Sequence, residues 1–254
     1  MTTIDTTAVW GRKIFFLYPS ALVQNQIIGE LAQAEFEVYY AKDHSKLRRV
    51  LEDCPDSIVF ANISEEMRED AWERWIRSVM DDIGINVGII TADDNVERWN
   101  KYINEVKVSC GYTLLKPDTG AVVKQLTEIL TRIGAKGRRK YVRVLTDNEA
   151  KITANFPVKG KFIHGSVRGI SAVGFACQFD EDPELPQNAL FPGVQIRLQT
   201  QLINAEGIVF GSRMEDEAKI YVILLSQRTP HDVHTKIRRF IQGFLQSKMD
   251  AQLG

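Results

Sequence analysis

The sequence predicts an α/β domain with a mostly parallel sheet, followed by an all-β domain that closes into a small antiparallel barrel and ends in a helix. Three observations carry this. Residues 1–135 alternate apolar strand-like runs with stripes of helical period. From Arg132 to Arg143 there are six basic residues and no acidic one, with Gly134 and Gly137 marking the stop of a helix. Beyond that stretch the apolar period drops to two, in short runs separated by turn residues. Domains are therefore expected at 1–135 and 136–254, and 254 residues suffice for two separate cores.

In the first domain, Lys13 to Tyr18 is a first strand, and Ser20 after Pro19 is a plausible helix N-cap. Val23, Ile27, Ile28 and Leu31 share a helical face. Phe36 to Tyr40 is a second strand, with Leu47, Val50 and Leu51 on a second helix. Ser57 to Ala61 is a third strand. Ser64 is read as the cap of a third helix, which carries Trp72, Trp75, Ile76 and Val79 inward. Its acidic start, Glu65-Glu66 through Glu69-Asp70, suits the helix dipole. Ile85 to Ile90 is a fourth strand, and Val96, Trp99, Tyr102 and Ile103 suit a fourth helix. Tyr112 to Leu115 is a fifth strand, with Val122, Leu126, Ile129 and Ile133 lining a fifth helix. Five strand–helix pairs with right-handed crossovers predict a flavodoxin-like order with helices on both faces. Trp10, Trp72, Trp75 and Trp99 all lie in this half, where tryptophans at helical spacing are read as core.

In the second half, Tyr141–Leu145, Ile152–Phe156, Lys161–Val167, Val173–Phe179, Val194–Leu202, Gly207–Phe210 and Ala218–Leu225 read as seven short strands. Asp180-Glu181-Asp182-Pro183 and Asn204-Ala205-Glu206-Gly207 read as turns. Thr229-Pro230-His231-Asp232 reads as an N-cap, a Pro at the first helical position and a carboxylate in the first turn. The helix that follows carries Val233, Ile237, Phe240, Ile241 and Phe244 on one face, which should cover a barrel mouth or a partner chain.

The chain is 44% hydrophobic and 26% charged, with a formal charge of -1, which excludes a globally basic nucleic-acid binder but not a local anion site. Cys54, Cys110 and Cys177 are far apart and are read as free thiols of a reducing compartment. His44, His164, His231 and His234 form no metal or catalytic set; His231 and His234 leave a zinc site open, with a polar face the simpler reading. The run Ile14-Phe15-Phe16-Leu17-Tyr18 is too short for a signal peptide, and no stretch approaches the ~20 apolar residues of a membrane helix. A cytoplasmic protein without membrane insertion, monomeric or homodimeric, is expected. No Ser-His-Asp set, glycine-rich phosphate loop or paired carboxylates appear, so no catalysis, metal or cofactor is expected.

The first half resembles response-regulator receiver domains: Thr91-Ala92 and Lys116-Pro117 stand where receivers keep a switch hydroxyl and a phosphate-binding lysine. The acidic parts are missing. The first strand ends Tyr18-Pro19-Ser20, the third ends Val59-Phe60-Ala61-Asn62-Ile63, and Asp56 lies at the wrong end of that strand. Phosphorylation needs a carboxylate nucleophile and acidic oxygens for Mg²⁺, so a receiver-like domain that cannot be phosphorylated is expected.

Arg139 and Arg143 make the spacing Arg-x-x-x-Arg, and Gly169-Ile170-Ser171-Ala172-Val173-Gly174 follows. Together, before an all-β pattern and a capped last helix, these resemble the two-part signature of PilZ domains, bacterial receptors for cyclic di-GMP, over residues 136–249. The resemblance implies a PilZ-type barrel and direct ligand contacts from Arg139 and Arg143, with Arg138 secondary and Ser171 and Gly174 on the barrel. Arginine's planar fork fits phosphate or the guanine O6/N7 edge. Gly169 departs from the family, which has Asp or Asn there to accept from guanine N1 and N2. Losing such a bond costs about 1.5–3 kcal/mol, about ten- to a hundredfold in affinity. Arg168 cannot replace the acceptor. Either binding persists through the arginines or the site is a degenerate copy.

The leading expectation is a signalling effector that binds cyclic di-GMP at the interdomain arginine loop and passes the signal to a protein partner. A protein-interaction scaffold without the dinucleotide is the first alternative. A nucleic-acid binder using the basic stretch is the second.

Overall fold

The computed structural model describes residues 11–146, 152–158 and 160–254; Trp10 lies outside them. The chain divides into two compact units. One takes in the chain up to Lys140 together with Phe244–Gly254, and the other is Tyr141–Gly243. The boundary expected at 135/136 remains a proposal.

In the first unit, β1 (Ile14–Leu17), β2 (Val38–Ala41), β3 (Ile58–Ala61), β4 (Asn86–Thr91) and β5 (Tyr112–Leu114) form a parallel sheet of order β2-β1-β3-β4-β5, the flavodoxin-like order. Its strands are buried on both faces. Phe15 and Leu17 join Leu47, Leu51, Trp72, Ile76 and Val79 on one side. Ile14 and Phe16 join Val23, Ile27, Leu31, Val122 and Leu126 on the other.

The helices follow the stripes with local departures. A π-helical stretch, Val23–Ile27, leads into α1 (Ile28–Gln33), and Val23 N–H donates to Ser20 Oγ at 3.4 Å. Asp43 caps α2 (His44–Glu52) by accepting from the Ser45 and Lys46 N–H groups. Helix α3 (Glu69–Ile83) starts later than expected, after Arg68, so Ser64 is not its cap. The Ser64 hydroxyl instead meets Thr91 Oγ1 at 2.7 Å. Asn95 caps α4 (Val96–Asn100), which runs into a π-helical stretch, Lys101–Glu105. Tyr102 is fully buried there, but Val96 and Trp99 are exposed, against the expected inward face. Helix α5 spans Thr119–Arg132 and buries Val122, Leu126 and Leu130.

Phe244–Gly254, the last turns of α6 (His231–Leu253), belong to this unit. Met249 enters its core, with Leu245 and Leu253 against it. The Gln246 amide accepts from Tyr40 N–H and donates to Tyr40 C=O, both at 3.0 Å. Tyr40 is on β2, an edge strand, so one side chain satisfies a donor and an acceptor that a sheet edge leaves open. The stripe expected to cover a barrel mouth or a partner chain lies mostly before these turns: its Val233, Ile237 and Ile241 are buried and group with the barrel unit, while Leu245, Met249 and Leu253 pack on the α/β core.

In the second unit, β7 (Ile152–Val158), β8 (Lys161–Ser171), β9 (Gly174–Phe179), β10 (Leu190–Leu198), β11 (Gln201–Glu215) and β12 (Ala218–Leu225) close an antiparallel barrel through the pairing of β8 with β9. A short seventh strand, β6 (Arg143–Leu145), pairs with the end of β8. Phe156 fills the interior against Phe175, Phe179 and Phe191, with ring centroids 5.2–6.1 Å apart.

Two strand readings need correction. The chain turns at Gln199-Thr200, with Gln199 at φ 55°, inside the stretch read as one strand. Asn204-Ala205-Glu206-Gly207, read as a turn, lies within β11. Ile203 and Ala205 point inward, and a Cβ on Gly207 would come within 2.9 Å of Ile223 Cγ2. The small residues serve a tight interior there, not a turn. Similarly, α6 begins at His231 after Pro230, while the Thr229 hydroxyl donates to the Glu206 carbonyl at 3.4 Å.

Candidate functional site

Strand pairing brings the second sequence motif and one motif arginine together on the barrel. In the β6–β8 ladder Arg143 stands opposite Ser171, Val144 opposite Ile170, and Leu145 opposite Gly169. Val144 is buried, so Arg143 and Leu145, its neighbours in the alternation, face outward. Ser171 pairs with Gly174 across a two-residue turn, and its hydroxyl donates to the Gly174 carbonyl at 3.1 Å. At Gly174 a Cβ would run into the Ile223 carbonyl oxygen and lie 3.1 Å from Leu224 Cα, so the close approach of β9 to β12 demands glycine.

Gly169 has a different reason to be glycine. A Cβ there would lie 2.9 Å from Arg143 Nη2 and 3.0 Å from Nε. The Arg143 side chain is thus folded back along β8, with its guanidinium lying on the bare face of residue 169. The departure in the motif and the path of the arginine are one structural fact.

Neighbouring groups fix this geometry. Arg168, beside the motif, donates from Nε and Nη2 to Gln178 Oε1 at 2.9 and 2.6 Å. Thr146 N–H donates to the Arg168 carbonyl at 3.1 Å and its hydroxyl to the Val167 carbonyl, which pins the end of β6. From α6, His234 Nδ1 donates to the Ala172 carbonyl at 2.7 Å in the turn of the motif, so this histidine has a positioning contact. The sequence offered no signal for that contact.

Arg138 and Arg139 lie in an exposed segment without regular structure and group with the α/β unit, whereas Arg143, Gly169, Ser171 and Gly174 group with the barrel. Val142 is half-buried.

In the α/β unit, the strand ends at which this topology usually offers a binding crevice are occupied by the chain's own groups. Tyr18 adopts φ 51°, its hydroxyl meets His44 Nδ1 at 2.8 Å, and its ring stands edge-on to Trp72. Burial raises the pKa of this phenol. Asn62, 4% exposed, donates to the Tyr18 carbonyl at 2.9 Å. Thr91 Oγ1 meets Ser64 Oγ and accepts from Asp93 N–H at 3.1 Å. Lys116 is exposed.

Among the described residues, no group of three or more His, Cys, Asp or Glu could hold a metal ion, and no helix is long and apolar enough to cross a membrane. Cys110 and Cys177 are buried free thiols, and Cys54 is half-buried. Burial pushes the Cys177 thiol up to about 12.

No family model matches the sequence, and no curated protein matches it. Solved structures do, over the C-terminal part. The chain is similar to the PilZ domain with c-di-GMP of YcgR from Escherichia coli at 12% identity and a TM-score of 0.37, over 45% of this chain and 95% of that one. It is similar to the MrkH–c-di-GMP complex of K. pneumonia at 17% identity and a TM-score of 0.39, over 46% and 57%. It is also similar to the Bacillus subtilis inhibitor of motility MotI/DgrA at 16% identity and a TM-score of 0.37, over 44% and 52%. The chain thus spans nearly all of the isolated PilZ domain and about half of the two longer proteins.

Proposed function

We propose that this chain is a cyclic di-GMP effector, with Arg143, Ser171, Gly174 and Gly169 forming the barrel side of its site and Arg138 and Arg139 supplying further positive charge. The observation that carries this is the register: Arg143 stands opposite Ser171, with its guanidinium spread over Gly169. A planar cation with five donors beside a hydroxyl suits a phosphodiester and the acceptor edge of guanine. Ser171 keeps acceptor capacity while it donates to Gly174.

The exposed basic segment steers the dianion, and Arg139 closes on it as the segment orders. Ordering around a multivalent anion supplies the differential affinity that a switch needs, and a protein partner reads the change. No bond is made or broken in this scheme, so no catalytic residue is assigned.

Calorimetric titration of cyclic di-GMP into the wild type, Arg143→Ala and Arg139→Ala tests the proposal. Arg143→Ala should weaken binding about ten- to a hundredfold. Absence of binding by the wild type overturns the proposal and leaves the scaffold reading. That second reading draws on the exposed Val96 and Trp99 of α4 and on the self-satisfied strand ends of the α/β unit. Binding to generic RNA or DNA that falls with salt and ignores the dinucleotide would favour the nucleic-acid reading.

A further inference from the structure

The row that holds Arg143 and Ser171 does not stop at the motif. Across the barrel wall Ser171 pairs with Gly174, Gly174 with Leu224, Leu224 with Ile208, and Ile208 with Leu190. Directly paired residues on neighbouring strands project to the same face. That face is the outer one: Leu224 is 37% and Leu190 49% exposed, and Ile208 is half-buried, while the alternate residues Ile223 and Val209 are buried. Phe210, two residues beyond Ile208 on β11, is 59% exposed.

The row therefore reads, in order, Arg143, the Ser171 hydroxyl, bare glycine, and three aliphatic side chains on neighbouring strands, with the Arg143 guanidinium beside the row over Gly169. Three strand spacings, roughly 14 Å, separate Arg143 from Leu224. Gly174 leaves no side chain standing between Ser171 and Leu224, because β9 and β12 approach too closely for a Cβ. A ligand held by Arg143 meets an apolar surface on the far side of that glycine.

We propose that Leu224 and Ile208, with Leu190 at the far edge, form a seat for a purine base of the ligand whose phosphate Arg143 holds. This rests on the cyclic di-GMP reading and extends it. The occupant is chosen by continuity: the strip lies on the same row as the cation and the hydroxyl. An amphipathic ligand with an anionic end and a flat apolar end uses the whole row, whereas an inorganic anion uses only its first half. Isolated exposed leucines are ordinary on protein surfaces. Aliphatic residues adjacent on neighbouring strands and in register with a phosphate-binding arginine form one surface.

The test is titration of cyclic di-GMP and, separately, inorganic pyrophosphate into the full chain carrying Leu224→Ser or Ile208→Ser, with Leu224→Met as a volume-conserving control. Circular dichroism checks that each variant is folded. Leu224→Ser should weaken cyclic di-GMP about fivefold, leave pyrophosphate unchanged, and be rescued in the Met variant. Unchanged cyclic di-GMP affinity in both serine variants, with Arg143→Ala still defective, overturns the base seat and leaves the effector reading standing. Failure of the wild type to bind cyclic di-GMP at all overturns that reading itself. Loss of self-association in Leu224→Ser with unchanged nucleotide affinity would make the strip an interface between copies and also overturn the proposal.

Discussion

At the ends of β1, β3 and β4, polar side chains bond within their own unit: Asn62 donates to the Tyr18 carbonyl, and Ser64 meets Thr91. On the outer row of the barrel, Arg143 lies over a glycine, Ser171 closes a two-residue turn, and leucines stand half out in water. The strand ends of a parallel sheet usually offer a crevice, but here Asn62, Ser64 and Thr91 bond to groups of their own unit. The outside of an antiparallel barrel faces solvent, and water on its polar groups can be exchanged for a ligand. The polar groups of the first region bond within their own unit, whereas those of the second lie on a solvent-facing surface.

Asn62→Asp gives the sharpest test of that contrast, because it supplies the carboxylate a receiver would need. In this structure it removes the donor to the Tyr18 carbonyl and puts charge at a position that is 4% exposed. A stability loss of about 1–3 kcal/mol is expected in thermal or denaturant unfolding, with no phosphoprotein by intact mass after incubation with acetyl phosphate and Mg²⁺. Phosphate uptake without loss of stability would break the contrast.

On the barrel side, Gly169→Asp restores an acceptor next to Arg143 and should tighten cyclic di-GMP binding about tenfold, about 1.4 kcal/mol. Gly169→Ala pushes the guanidinium aside without adding an acceptor, and calorimetry should show it binding more weakly than the wild type. Equal affinities for all three would mean that the path of Arg143 over residue 169 has no bearing on the ligand.

The smallest effect is expected at Asp182, which accepts from the Tyr221 hydroxyl and from Lys219 Nζ at 2.9 Å. These bonds lower its pKa to about 2. A carboxyl lowered in the folded state adds stability above its ordinary range near 4, and that contribution is lost as pH falls from about 4 to 2. Asp182→Asn should flatten that part of the acid-unfolding curve and leave neutral-pH affinity for the dinucleotide unchanged.

Much of the architecture was legible because it repeats along the chain. The stripes Leu47–Leu51 and Trp72–Val79 are buried as their spacing requires, and the alternation of strands and helices implies the observed order β2-β1-β3-β4-β5. Val96 and Trp99 carry the same spacing but stay exposed, and periodicity alone cannot show whether a stripe has a partner. The turn at Gln199-Thr200 was missed because its left-handed residue is neither Gly nor Asn. Asn204–Gly207 looked like a turn because the barrel interior needs small residues there.

Local spacing along the sequence determined which elements exist and their periods, and the resemblance to PilZ domains singled out Arg139, Arg143, Gly169, Ser171 and Gly174 as a candidate set. Only the tertiary structure decided that Arg143 faces Ser171 and folds over Gly169, and that Leu224, Ile208 and Leu190 extend the same row. The physical reason is register. Pairing between strands distant in sequence is set by how all the inward side chains pack at once, and a shift of one residue would turn every one of these groups to the other face.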